Sequence, residues 1–226
     1  MKNIIYIPKK LAALLLSLLV ITTIIFVNSL AYMGPSVALA QAATDSVVVT
    51  LNVTAGIAID SPADVAMSRA LSMTNMTAIG TSTWTVTTNN ITGYSLTIKA
   101  TSSPAMQQNS TTTIADYQTA APNTWAVTSG NAKFGFSAYG TDVTTVPTNP
   151  WGSGSSCAPV SAHVPSTTLK YLGFTTSTSS PEIARRSATT TFAGSATTVC
   201  FAVEQNGFYI PSGAYSATIT ATAVTI

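Results

Sequence analysis

Residues 83 to 98 read TWTVTTNNITGYSLTI. Large apolar side chains alternate with hydroxyl ones on both sides of a polar break, a two-residue period that fits extended backbone with one face buried. Thr is β-branched, so it favours strand geometry while leaving its hydroxyl to solvent. Asn89, Asn90 and Gly93 supply the backbone freedom of a tight connection. The spacing predicts a hairpin in which Thr88 faces Tyr94, Val86 faces Leu96 and Trp84 faces Ile98, with the large apolar side chains on one side.

The same rhythm recurs. SVVVTLNV (46–53) predicts a first strand with Val47, Val49, Leu51 and Val53 on one face, and Pro62 marks a turn after it. TWAVTSGN from Thr124 repeats the pattern of TWTVTTNN from Thr83, a likeness that shared composition explains. Residues 147–166 carry four prolines and two glycines without a period, and predict a long loop. KYLGF, ATTTFAG and ATTVCFAV read as further short strands, and the terminal SGAYSATITATAV as another. These elements predict an all-β fold, an immunoglobulin-like Greek-key β-sandwich over residues 41–226. The strands are too short and too often interrupted for a barrel of the outer membrane.

The first forty residues predict the helix of an export signal: basic residues ending at Lys9 and Lys10, an apolar run from Leu11 to Met33, and small residues flanking Ala40, after which cleavage is expected. An uncleaved membrane anchor is the alternative, since about twenty apolar residues cross a bilayer. From Gln41 onward six lysines and arginines face seven carboxylates, so the formal charge of +2 is made of +3 in the signal, from Lys2, Lys9 and Lys10, and −1 in the remainder. The remaining basic residues are scattered, which argues against nucleic acid, and a membrane is expected as a partner only if the signal is retained. Cys157 and Cys200 are the only cysteines. In an exported chain they predict a disulfide. Val199, Phe201 and Val203 share a face, so Cys200 points the other way, and the bridge is expected to strap the 147–166 loop across the outside of a sheet.

Few groups offer chemistry. His163 is the only histidine, lies in the irregular loop, and has no Ser-His-Asp spacing around it, although Asp142 or Asp116 can be imagined as partners across the fold. Asp60 and Asp64 flank a Pro turn without a third carboxylate, which favours turn formation over calcium. No cofactor, metal or catalytic residue is expected. Trp84 and Trp125 read as core residues, whereas Trp151, set among prolines and glycines, is the aromatic singled out for a surface contact, with packing under its own loop as the other reading and His163 as a further possible ligand contact.

The succession TWTVTTNNITGYSLTIKA, IADYQTAAPNTWAVTS, KFGFSAYG, the cysteine-bearing loop and SGAYSATITATAV resembles small exported proteins of uncultivated bacteria, broadly similar to WxL-type and pilin-like surface sandwiches. The resemblance implies a secreted or cell-surface protein. Neither TWTV nor TWAV supplies the Trp-x-Leu pair, so the wall binding attributed to WxL domains does not carry over. The expectation is a non-catalytic structural or adhesive protein, a homo-polymer or envelope component that donates Ser46–Val53 or Gly213–Ile226 between subunits. The alternative is a carbohydrate-binding module that uses Trp151.

Overall fold

A computed structural model of the protein describes residues 9–31, 44–117, 120–147, 150–158, 162–174 and 180–226. The chain divides into two compact units, Met1–Leu51 and Asn52–Ile226. The first holds α1 (Lys9–Ala31). Its hydroxyls fold back onto the backbone, Ser17 donating to the Leu14 carbonyl and Thr22 to that of Leu18, which satisfies them without water. Among the described residues no helix is long and apolar enough to cross a membrane. The cleavage position expected after Ala40 lies outside the described residues.

The second unit is built from strands: β1 (Ile57–Ile59), β2 (Thr77–Thr88), β3 (Tyr94–Ala100), β4 (Met106–Gln107), β5 (Thr113–Asp116), β6 (Asn123–Thr124), β7 (Asn131–Tyr139), β8 (Lys170–Tyr171), β9 (Glu182–Arg186), β10 (Ser195–Asn206) and β11 (Ile219–Thr225). A six-stranded sheet has the order β1-β2-β10-β7-β5-β4, a three-stranded sheet the order β11-β3-β9, and β6 pairs with β8. The pairings are antiparallel except that of β5 with β7. The β-rich class expected from the sequence is therefore present.

Side-chain parity assigns the faces as the alternation predicted. Trp84 and Val86 of β2, Phe134 and Phe136 of β7, and Val199, Phe201 and Val203 of β10 meet Leu96 and Ile98 of β3 and Ile183 of β9 in one core. The opposite parity of the large sheet supports a second, smaller core, where Ile79, Cys200 and Ala202 pack with Tyr117, Cys157, Leu169 and Tyr171. The disulfide Cys157–Cys200 lies here with its Cα atoms 5.4 Å apart. It holds the 147–166 loop against the outside of the sheet, as the parity of Cys200 required.

Pairing departs from the expectation. β2 and β3 belong to different sheets, so Asn89–Gly93 is an arch that crosses the core rather than a hairpin. Trp84, Val86, Leu96 and Ile98 still face inward, but across the core instead of side by side. Gly93 makes the crossing possible: its φ is 81°, and a Cβ there would collide with the Arg186 carbonyl. Two further expectations fail. Ser46–Val53 forms no strand, and ATTTFAG is a turn closed by Gly194 N–H donating to the Thr191 carbonyl, 3.0 Å. β9, which lies just before that turn, went unpredicted because EIARR shows little alternation in its polar half.

Candidate functional site

The core is closed on most sides and open on one. Beyond β9 it is sealed by Val143, Val146, Trp151 and Phe174, all buried. On the β11 side the packing is incomplete. Among the described residues, the half-buried apolar side chains resting on the main core come from two segments only: Ile57 to Leu71, and Ile210 to Ala223. Tyr215, Ala217, Ile219, Ala221 and Ala223 point inward with period two, yet none is fully covered. β11 sits at the end of its sheet, hydrogen-bonded to β3 and to no other described strand, although β1 lies close to it and Ser216, just ahead of it, exchanges backbone hydrogen bonds with Gln107 of β4. Along β11 itself, among the described residues, the outer N–H and C=O groups join no ladder, above a row of incompletely buried apolar side chains.

This seam widens at one end into a groove of about 420 Å³, lined by Met67, Leu71, Met106, Ile114, Ile210 and Tyr215 among others. Arg69 lies at its wall with the guanidinium fixed, Nε donating to the Thr77 carbonyl at 2.6 Å and Nη1 to Asn75 Oδ1 at 3.4 Å. Gln205 is 3 % exposed, and its Nε2 donates to the Ser72 carbonyl at 2.7 Å while its Oε1 accepts from Ile210 N–H at 3.2 Å. These bonds hold the groove walls, the 69–77 segment and the 205–215 loop, on either side of an apolar floor.

The residues preceding β1 carry a complementary pattern. Val47, Val48 and Val49 are each 86 % exposed, and Leu51 and Val53 are nearly as open. This is the stretch whose alternation predicted a first strand. It has the composition of a buried strand and no described partner, which explains the failed expectation: an edge must be supplied before such a segment can pair.

The residues expected to carry chemistry are dispersed. Trp151 is 1 % exposed: its ring packs on Phe136 at 5.1 Å and its Nε1 donates to the Glu182 carbonyl at 3.1 Å. The surface position expected for it is thus corrected, because the loop around it folds inward over β9. His163 is half-buried with Nδ1 2.9 Å from Ser68 Oγ, which helps hold the strapped loop beside β2. Asp142 lies elsewhere, 3 % exposed, accepting from Tyr94 Oη at 2.8 Å, from Arg186 Nη1 at 3.3 Å and from Ser195 Oγ. Asp116 accepts from Ala105 N–H at 3.2 Å, and burial holds its carboxyl above the ordinary range. The structure brings none of these carboxylates to His163. Asp60 extends the pairing of β1 with β2, its N–H donating to the Thr85 carbonyl at 3.1 Å and its Oδ1 accepting from Thr85 N–H at 2.5 Å. Among the described residues no cluster of three His, Cys, Asp or Glu side chains is gathered.

Trp125, expected in the core, rests half-buried against the second one, stacked on Tyr117 with centroids 4.5 Å apart and donating to Glu204 Oε2 at 2.6 Å. Tyr94 and Tyr171 are fully buried, and burial pushes both phenols up to about 12, with the Asp142 carboxylate adding to the effect at Tyr94. No protein-family model matches the chain, and neither a curated protein nor a solved structure matches it.

Proposed function

We propose that the protein is an exported, non-catalytic surface component with an immunoglobulin-like Greek-key sandwich, and that it assembles with copies of itself by strand exchange. Export is supported by the basic, apolar and small-residue order of the first forty residues and by the Cys157–Cys200 bridge, which suits an oxidising compartment. The observation that carries assembly is the pairing of two unmet needs in one chain. β11 offers an unpaired edge over half-buried apolar side chains, and residues 47–53 offer an exposed apolar strand pattern with no edge to join.

Donation of that segment to the β11 edge of a neighbour meets both needs, with backbone bonds supplying affinity and alternate side chains filling the seam. Of the two donors the sequence suggested, the 46–53 segment is favoured, because β11 is already paired with β3 over its length. Burying Val47, Val49, Leu51 and Val53 contributes about 1.5–3 kcal/mol each. The total is comparable with the roughly 4–15 kcal/mol that association costs, so the ladder hydrogen bonds decide whether the complex persists. No observation favours a carbohydrate platform at Trp151.

Deleting residues 44–53 tests the proposal. The expected result is loss of any detergent-resistant ladder on gels, with unchanged folding of the sheet unit by circular dichroism. A wild-type protein that stays monomeric at high concentration overturns it.

A further inference from the structure

The sheet unit has two ends, and its exposed large apolar side chains gather there. Antiparallel registry places Thr88, Tyr94, Ser195 and Thr225 at one end, and Thr77, Ala100, Glu204 and Ile219 at the other. The first end, here the turn end, carries Ile91 in the arch, Phe192 in the 191–194 turn, Val224 and Ile226. The second, the groove end, carries Met73 and Tyr209 at the wall of the 420 Å³ groove, with Phe208 next to Tyr209 in the chain. Apart from these, from Asn52 onward, Val53 and Val164 alone of the described residues belong to this exposed set. The flanks are Thr and Ser; Thr83 and Thr198 hydrogen-bond each other across β2 and β10 at 2.8 Å.

The ends also differ in shape. Phe192 projects from a four-residue turn with its ring fully exposed, whereas Met67, Leu71 and Tyr215 line a concavity. We infer that successive copies stack head to tail along the strand direction, with Phe192 of one seated in the Met67–Leu71–Tyr215 groove of the next. The partner is a second copy of this chain. A contact between two different patches of one molecule gives a ring if its rotation closes and a filament if it does not, and translation along the strand direction gives the filament. This inference rests on the strand-exchange reading for its stability but not for its geometry.

The chain's exit point fits the stacking. The Thr54 carbonyl accepts from Asn89 Nδ2 at 2.9 Å, so the 44–53 segment leaves the sheet unit at the turn end, the end that faces the next copy's groove. Ten extended residues reach about 33 Å, most of the roughly 40 Å spanned by β10. Area supports the same combination. Phe192 buries about 150–250 Å², and the other apolar side chains about 60–120 Å² each on the hydrophobic transfer scale. End contact or strand alone falls short of the roughly 800 Å² per partner of a stable interface, and together they approach it.

Cysteine trapping of the exported protein tests the stacking, since its native cysteines are bridged and no other thiol competes. The expected outcome is an intermolecular ladder on mild oxidation of a Phe192→Cys, Tyr209→Cys double variant, and no ladder from either single variant. Sedimentation of a Phe192→Ser variant is expected to fall at least tenfold in apparent association constant, with thermal stability unchanged because the ring packs on nothing in the monomer. Filaments imaged by electron microscopy are expected to repeat at about 40 Å, the length of β10. Efficient dimers from Phe192→Cys alone would mean turn end against turn end and overturn the polarity. No ladder from the double variant, where the wild type sediments as an oligomer, overturns the end contact while leaving strand exchange standing. Conversely, trapping that survives deletion of residues 44–53 together with an intact detergent-resistant ladder removes strand exchange and keeps the stacking.

Discussion

Single side chains decide how tightly the sheets are held, and two sets of them yield predictions. Trp151 is enclosed between Phe136 and the Glu182 carbonyl, so Trp151→Ala removes a large buried ring and is expected to cost about 3–5 kcal/mol. Chemical denaturation of the two proteins measures it; a loss under 1 kcal/mol would place the ring outside the core. Tyr94 and Tyr171 respond to pH. Both phenols are raised to about 12 in the fold from an unfolded value near 10. Above pH 10 the unfolded chain gives up those protons first, so the stability they confer is complete below pH 10 and is lost between pH 10 and 12. The loss is on the order of 2–3 kcal/mol per tyrosine. Denaturation midpoints followed through that window are expected to fall steeply, and the Tyr171→Phe variant to fall less.

At the level of elements, the strap and the arch do most to shape the fold. Cys157 and Cys200 are 43 residues apart, and closing a loop of that length restricts the unfolded chain by about 4 kcal/mol in the entropy model. Reduction is therefore expected to lower the unfolding midpoint sharply and to loosen the second core, where Tyr117 and Trp125 stack, before the main one. Near-ultraviolet dichroism reads the tryptophan signal, and an unchanged spectrum at equal stability would contradict it. The arch is less tolerant. Gly93→Ala sets a side chain against the Arg186 carbonyl at a φ that only glycine adopts readily, and is expected to abolish folding of the unit or reduce its yield severely.

For the molecule as a whole, the proposed strand exchange makes the half-buried seam and the exposed 47–53 segment the two sides of one contact. Intact mass of the exported protein is expected to correspond to a chain beginning at Gln41 and lacking the two hydrogens lost to the bridge. A mass that includes α1 would instead mean that the apolar run is retained, as the anchor alternative requires. The alternation made most of this legible. It told which side chains of β2, β3, β7 and β10 face inward, and it aimed Cys200 at the strapped loop. It could not locate the seam, because Tyr215, Ala217 and Ile219 look the same in sequence whether a neighbouring strand covers them or not.

What the sequence determined by itself is parity, since a strand has two faces and the hydrophobic effect selects between them residue by residue. Neighbours were decided only by the tertiary structure. An arch and a hairpin place Trp84, Val86, Leu96 and Ile98 on the same buried side, and they differ in whether the two strands bond to each other or to β10 and β9. That choice turns on Gly93, on the space left by Arg186, and on which edges other strands have already taken. Those are relations among distant residues, and the edge left untaken at β11 is their product.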